Sequence, residues 1–248
     1  MAFLKGMSGL DWVVARDDVV VEAKGRIATG GKLVLDGSGQ IATLTRQPKV
    51  WYGENVIEGR KVLYHLKNGD LSIIGNVSGV FYSQKELKVG SGRARGDKGG
   101  PDASESLSVS ESLRKPGKVE LSADRLDYNQ KTMQGTYSGN VVLRKGESIF
   151  SADTIKVHGD PATGQIGSLE ADGHVRVQDG TKVVRAEKAL YYNDEQKVVL
   201  LGMPKVFELG KVITRGDVVT LYLGRREYEI KGEQKDKIKT TFFIPNRQ

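Results

Sequence analysis

Residues 119–143 decide the fold class of this chain, and they read VELSADRLDYNQKTMQGTYSGNVVL. Apolar and polar side chains alternate on both sides of the pair Ala123-Asp124, which is typical of a strand with one buried face. The pair Gly139-Asn140 then leads into a second alternating run of residues. The segment therefore predicts a unit made of a strand, a turn and a second strand.

The same unit recurs along the chain at a spacing of roughly 30 residues. A small residue, a charged residue and then alternating apolar residues begin at Ala123, Ala152, Ala186 and Gly216, with weaker copies at Gly59 and Gly30. A glycine that leads into a further strand follows several copies, at Gly75, Gly139 and Gly173, and we expect the chain to bend there, at the start of a strand. Since one strand pair cannot bury its apolar face alone, the repeats predict a folded-over sheet with free strand edges at its ends.

Two aspartate-glycine pairs carry the composition of tight hairpin turns. These are Asp172-Gly173 and Asp179-Gly180, where glycine tolerates the positive φ that such turns need. We therefore expect hairpins at both positions.

One segment differs from the rest in composition. Residues 84–117 are rich in glycine, serine and charged residues and poor in large apolar ones, so they predict a disordered linker. The linker separates a block of residues 1–83 from a block of residues 118–248. Residues 40–52 align without a gap on residues 196–208 and share a Pro-Lys-Val-aromatic motif, so we expect two related copies of one fold, the first of them partial.

Composition and charge limit the possible functions. The chain has no cysteine, which excludes disulfides, thiolate metal sites and cysteine nucleophiles. Its net charge of +7 indicates an acidic partner such as nucleic acid, an anionic membrane or a phosphorylated lipid, or else serves solubility alone. The chain has no run of the ~18 apolar residues that a membrane span requires. Its start, MAFLKGMS, lacks the apolar region of a complete signal peptide, so we expect either a cytosolic protein or a truncated or engineered N-terminus.

The ordered series Ser-Ala-Asp-x-apolar, Gly-Asn-Val and again Ser-Ala-Asp-x-apolar, at residues 122–126, 139–141 and 151–155, resembles the OstA-like domain. That family includes the lipopolysaccharide-transport proteins LptA and LptC and the N-terminal domain of LptD. The resemblance covers residues 118–248 best and residues 1–83 loosely, so that an LptC-like first block followed by an LptA-like second block would fit. It implies an all-β fold, a β-jellyroll of rolled, V-shaped antiparallel sheets with a hydrophobic groove.

The resemblance also implies a function without chemistry of its own. The chain would be a periplasmic lipopolysaccharide-binding protein, part of a bridge from the inner to the outer membrane, with no cofactor and no metal. Its partners would be the acyl chains of lipid A, LptC-like and LptD-like proteins, and a second copy of itself, joined end to end through strand edges. No nucleic acid is expected under this interpretation.

The family resemblance places apolar side chains of the opening strand against the lipid, and here these are Val119 and Leu121. Alternation along the following strands adds Leu126, Tyr128, Val141, Leu143, Ile155, Val157, Val175 and Val177. Core packing would use the same residues and is the simpler interpretation of each one taken singly. An opening between the two faces of the sheet is what distinguishes a groove from a core.

Other chemistries find little support in the residues. The three histidines, at positions 65, 158 and 174, have no metal-ligand spacing. The recurring acids Asp124, Asp153, Glu187 and Asp217 favour a structural role, a carboxylate that accepts a backbone N–H at a bend, over acid–base catalysis, and no catalytic residue is predicted.

Two further functions stay open from the sequence alone. Basic residues near 93–98, 225–226 and 235–239 leave a nucleic-acid-binding β module as one alternative, although solvated surface charge explains them more simply. A structural β-repeat scaffold or adhesin without a lipid ligand is the other alternative.

Overall fold

The computed structural model of the chain describes residues 12–23, 25–36, 40–83, 117–159, 166–195, 197–208, 211–222, 227–231 and 239–240. These residues form eighteen β-strands, and every pairing between them is antiparallel. The strands are β1 Trp12–Ala23, β2 Arg26–Asp36, β3 Ile41–Thr45, β4 Lys49–Tyr52, β5 Asn55–Glu58, β6 Lys61–His65, β7 Leu71–Ser83, β8 Gly117–Asn129, β9 Gln134–Lys145, β10 Ser148–Gly159, β11 Ile166–Asp179, β12 Lys182–Tyr192, β13 Lys197–Leu201, β14 Lys205–Glu208, β15 Lys211–Arg215, β16 Val218–Tyr222, β17 Glu227–Lys231 and β18 Lys239–Thr240.

The sheet is folded along one line, which we call the crease. Near the middle of β7, β8, β10 and β11 the register of the pairing shifts. The same two strands remain paired on both sides of that shift. Half-sheet A is the ladder that contains residues 125–129, 134–138 and 154–158, and half-sheet B is the ladder that contains residues 117–122, 141–145 and 148–152. The predicted class, all-β with a rolled, V-shaped antiparallel sheet, is confirmed.

The short strands continue the same two ladders. β3 pairs with β6 in half-sheet A, while β4 and β5 continue half-sheet B, and each set joins β2 to β7. β13 and β14 divide in the same way between the two half-sheets after β12. The gap-free match of residues 40–52 with residues 196–208 thus falls on equivalent elements, with Pro48 and Pro204 both fully buried between the two short strands.

Glycine residues at positive φ lie at the crease, each covered by a side chain of the facing strand. Gly139 has φ +76°, and a Cβ atom there would collide with the Asp124 carboxylate. The same relation joins Gly173 to Asp153. The residue after each glycine also has positive φ and contacts the same acid: Asn140 Nδ2 donates to Asp124 Oδ2 at 3.0 Å, and His174 Nδ1 lies 2.8 Å from Asp153 Oδ2. Asp124 and Asp153 therefore have a structural role at the crease, with side chains of the facing strand as partners, and the expected bond from a backbone N–H stays a prediction.

The hairpin expected at Asp179-Gly180 is confirmed, since Asp179 pairs with Lys182 across it. The hairpin expected at Asp172-Gly173 is wrong, because both residues lie inside β11. Gly139-Asn140 likewise lies inside β9 and does not begin a strand. The sequence signal for positive φ was correct in each case, but a folded strand uses it at the crease as readily as a hairpin does.

The two predicted blocks lie side by side in the sheet. β7 and β8 pair along their whole length, from Leu71 opposite Tyr128 to Ser83 opposite Gly117. The predicted linker, residues 84–117, lies outside the described residues except for Gly117, which begins β8. The division into two copies joined by a linker stays a prediction, and the described residues on either side of it share one continuous sheet.

The core lies inside the fold of the sheet, along the crease. Ile155, Val141, Val175 and Val219 are at most 1% exposed, and small residues such as Ala171 let the two half-sheets approach closely there. Because alternation places these side chains on one face of every strand, the core is continuous from β1 to β17. Exposure rises away from the crease toward the free ends of the strands.

Val175 and Val177 give a matched test of this gradient, because they lie on the same face of β11, next to the crease and one step farther out. Val175→Ala removes methyl groups from a fully buried site, so we expect it to lower the free energy of unfolding by about 2–3 kcal/mol. Val177→Ala, at a half-buried site, should cost about 1 kcal/mol. Urea denaturation of both variants measures the difference, and equal costs would contradict the gradient.

Gly139 tests the crease itself. Gly139→Ala should destabilise the protein by roughly 2 kcal/mol or more, since positive φ strains a side chain and the Asp124 carboxylate occupies its space. Gly180→Ala is the matched control, because Gly180 also has positive φ but nothing lies within 4 Å of its Cβ position. Combining Gly139→Ala with Asp124→Gly should recover part of the loss in a thermal-unfolding cycle, whereas simple additivity would contradict the collision.

Candidate functional site: an apolar groove between the half-sheets

Two rows of paired side chains face each other across the interior of the V. The row in half-sheet B runs over Val50, Ile57, Gly79, Leu121, Leu143, Phe150, Val177, Val184 and Val206. The row in half-sheet A runs over Ala42, Tyr64, Leu71, Tyr128, Gly135, Val157, Leu169, Tyr191, Val198 and Leu221. Neither row is interrupted by a charged residue, so the interior of the V is a continuous apolar strip.

The strip is open away from the crease. Leu143 and Phe150 in half-sheet B, and Val157 and Leu169 in half-sheet A, are only partly buried although they point inward. Apolar side chains that remain accessible on the inner face of a folded sheet line a groove. We call this the groove, with its floor at the crease and its mouth at the free ends of the strands.

All ten residues predicted to contact lipid lie on the inner face. Five are buried in the floor: Leu121, Leu126, Val141, Ile155 and Val175. Five are partly exposed nearer the mouth: Val119, Tyr128, Leu143, Val157 and Val177. Contact of these residues with lipid stays a prediction, but only the second group is accessible to a ligand without rearrangement of the core.

The sequence analysis missed several residues of the groove. Tyr64 and Phe81 come from the N-terminal block. Phe150 and Leu169 lie in the first halves of β10 and β11, where only residues of the second half were predicted, and Val184 lies on β12, where none was. The ring of Phe81 lies over Gly79, where a Cβ atom would meet it at 2.8 Å, so the phenylalanine fills the gap in the row. Continuing the alternation from Val175 back past Gly173 would have found Leu169, but the same step on β10 fails because the inner-face parity changes between Phe150 and Ile155.

One contact crosses the groove. The guanidinium carbon of Arg26, in half-sheet B, lies 4.6 Å from the centre of the Tyr128 ring, in half-sheet A. Both residues are partly buried. The two walls of the groove therefore touch at this point through a cation and an aromatic face.

The rim of half-sheet B carries polar groups beyond its apolar row. Lys145 follows Leu143 on the inner face, and burial lowers the pKa of its ammonium group. The adjacent Ser148 is buried and donates a hydrogen bond of 2.8 Å to Asp179. In half-sheet A the comparable polar feature is neutral: burial among apolar side chains raises the pKa of Tyr137 far above its ordinary value, so the phenol stays protonated.

The outer face of the sheet carries polar and charged groups beside some exposed apolar side chains, such as the paired Ile27 and Trp51. Arg125 and Asp127 form an ion pair that lowers the pKa of the carboxyl, and Asp127 also accepts from Ser72 Oγ at 2.6 Å. A shallow depression of about 350 Å³ lies on this face, lined by Asp153, Thr154, Lys156, Glu170, Asp172 and Gly173. Within the described ranges, no group of three His, Asp or Glu side chains is arranged to hold a metal ion. Nor does the described part of the chain contain a helix long and apolar enough to cross a membrane.

His174 lies at the crease on the outer face, where its imidazole contacts the Asp153 carboxylate. Its hydrogen bond with Asp153 raises the pKa of the imidazole above the ordinary value of 6.5. A raised pKa in the folded state gives stability that is complete below pH 6.5 and is lost as the pH rises through the folded value. Because the His174 side chain is 90% exposed, the effect on unfolding should be small.

An NMR titration of the imidazole tests this contact. We expect the pKa of His174 to fall toward its ordinary value in Asp153→Asn, with little change in unfolding midpoint at pH 8. An unchanged titration curve in that variant would show that the ion pair does not form in solution.

Comparisons with known proteins match the second part of the chain. Residues 120–226, from β8 through β16, match the family model described as "LptA/(LptD N-terminal domain) LPS transport protein". LPS-assembly protein LptD from the Lens, Paris and Philadelphia 1 strains of Legionella pneumophila is 30% identical over 84 residues, which are 34% of this chain. The match spans only 10% of the length of these relatives.

A solved structure also resembles the chain. It is that of LptH, the LptA homologous periplasmic component of the lipopolysaccharide transport device from Pseudomonas aeruginosa, with 17% sequence identity and a TM-score of 0.44. The likeness covers 51% of this chain and 95% of that one.

Proposed function

We propose that this chain, whose residues 120–226 match the family model of lipopolysaccharide-transport proteins, holds the acyl chains of lipopolysaccharide in its groove. It acts by shielding those chains from water during transport and performs no chemistry of its own. The site of action is the periplasm, where the chain is one part of a bridge between the inner and outer membranes.

The observation that carries the proposal is the pair of facing apolar rows that stays open toward the mouth. A plain core would bury Leu143, Phe150 and Val157 as completely as it buries Ile155, but these side chains remain partly exposed. An acyl chain laid over them removes apolar surface of both partners from water. Burial of the ligand alone contributes about 0.8 kcal/mol per CH₂ group, so a few chains are enough to hold a lipid.

Free strand edges support the assembly part of the proposal. Among the described residues β1 pairs only with β2 at one end of the sheet, while at the other end β17 pairs only with β16 and β18 only with β15. An exposed edge is a template for a strand of another chain. Pairing there with an LptC-like protein, an LptD-like protein or a second copy would place one groove in line with the next.

Site-specific photocrosslinking tests the groove directly. A photoreactive residue at Leu143, on the inner face of β9, should crosslink to lipopolysaccharide, and the same residue at Arg144 should not, because Arg144 is exposed on the outer face. Leu143 is a better probe than Leu121, which is only 6% exposed.

Other outcomes would favour the other functions. Absence of a crosslink at both positions, with folded protein and excess lipid, would contradict the lipid-carrier proposal. Concentration-dependent assembly without any crosslink would then favour a structural scaffold. Binding to DNA or RNA that weakens steeply with salt would favour a nucleic-acid-binding module.

A further inference from the structure

The contact between Arg26 and Tyr128 joins two parts of the sheet that no backbone ladder connects. Arg26 is the first residue of β2 and lies at the half-sheet B end of that strand. Tyr128 lies at the half-sheet A end of β8, between Leu71 and Gly135 in its row. Other strands separate β2 from β8 in both half-sheets, so the contact passes through the space between the walls.

Both side chains point into the groove. Arg26 lies on the same face of β2 as Ala28, which pairs with Val50 in the row of half-sheet B. Tyr128 is itself a member of the facing row. A charged group is thus held at the mouth of an otherwise apolar strip, and the contact closes the groove at that point.

The contact leaves the hydrogen-bonding capacity of the arginine available. A guanidinium group over an aromatic ring uses its face, while its N–H donors lie in its plane and point sideways. Anionic oxygens bind those donors in a fork, and such charge-assisted bonds are stronger than a partly exposed cation–π contact. A phosphate that reaches the mouth therefore competes successfully with the tyrosine ring for Arg26.

The wall beside Tyr128 is not tightly filled. Gly135 is the next member of the row, and a Cβ atom there would lie 3.6 to 3.9 Å from Leu126, Tyr137 and Tyr128. These are ordinary van der Waals separations, so the glycine leaves a gap of about one methyl group beside the ring.

We propose that Arg26 is a specificity-determining clasp: it closes the groove against Tyr128 and opens for amphiphiles whose head group carries a phosphate. The inference rests on the proposed function, because it requires acyl chains in the groove. A phosphorylated lipid replaces the contact that it breaks with a stronger one, whereas an uncharged lipid of the same chain length breaks the contact without replacement. Arg26 thereby selects the ligand by its head group, and the apolar rows hold it by its chains.

The test uses the full chain with the photoreactive residue at Leu143 and two lipids that differ only in phosphate. These are diphosphoryl lipid A and the same lipid after enzymatic dephosphorylation. We expect Arg26→Gln to weaken half-maximal crosslinking of the diphosphoryl lipid by on the order of tenfold, and to leave the dephosphorylated lipid unchanged or better bound. Arg26→Lys should retain part of the selectivity, since the charge stays but the fork is lost.

Two further variants control for charge and for folding. Arg144→Gln removes a cation from the outer face of half-sheet B and should change the binding of neither lipid. Tyr128→Leu removes the aromatic face and keeps Arg26, so any change in acyl-chain contact should affect both lipids equally and leave the preference for the diphosphoryl lipid. Thermal unfolding of each variant establishes that it is folded at the temperature of the binding assay.

Three results would overturn the clasp. An equal loss for both lipids in Arg26→Gln would assign Arg26 a packing role, and no loss for either would assign it none. Loss of the preference for the diphosphoryl lipid in Tyr128→Leu would place the recognition on the ring. A native chain that crosslinks neither lipid at Leu143 would instead refute the proposed function, and this outcome is separate because it needs no Arg26 variant.

Discussion

The fit of a carboxylate over a glycine at the crease is the constraint on which the rest of the structure depends. Gly139 and Gly173 have backbone angles that side chains rarely adopt, and Asp124 and Asp153 fill the space that a side chain would need. Each such pair lets a long strand change direction without ending, so both halves of the strand keep their inner and outer faces. The two half-sheets, the continuous core and the groove all follow from repetition of this one bend along the sheet.

The groove exists because the two half-sheets diverge while each of them keeps its apolar row on the inner face. Near the crease the inner residues of the two walls touch, and Ile155 and Val141 have no exposed surface. One step farther out the walls are too far apart for Leu143 and Val157 to cover each other completely. Exposed apolar surface of this kind lowers the stability of an isolated chain, and its presence in a continuous strip indicates a surface kept for a ligand.

Much of this could be predicted from the sequence, because alternation has a period of two wherever a strand runs. Val141 and Val175 are on the inner face since a crease glycine leaves the parity of the row unchanged, whereas on β8 the parity changes at the crease, between Leu121 and Leu126. The role of Asp172-Gly173 could not be predicted, because a hairpin and a crease require the same positive φ. The contact of Arg26 with Tyr128 depends on how two half-sheets sit against each other, and no local pattern encodes that distance. The pairing of β7 with β8 was missed for a similar reason: the two strands are far apart in sequence, and no local pattern indicates that they are neighbours.

That pairing has a consequence for how the chain could be divided. Ser83 and Gly117 are neighbours across a ladder, so the two ends of the segment between them lie side by side. The entropy of closing such a loop grows only slowly with its length, and the fold therefore places little demand on the intervening residues. Severed there, the molecule would become two fragments, each ending in a strand whose natural complement is carried by the other. Each half of the sheet thus presents the strand edge that the other half pairs with, and reassembly of separately made fragments would use the same kind of pairing as the proposed assembly.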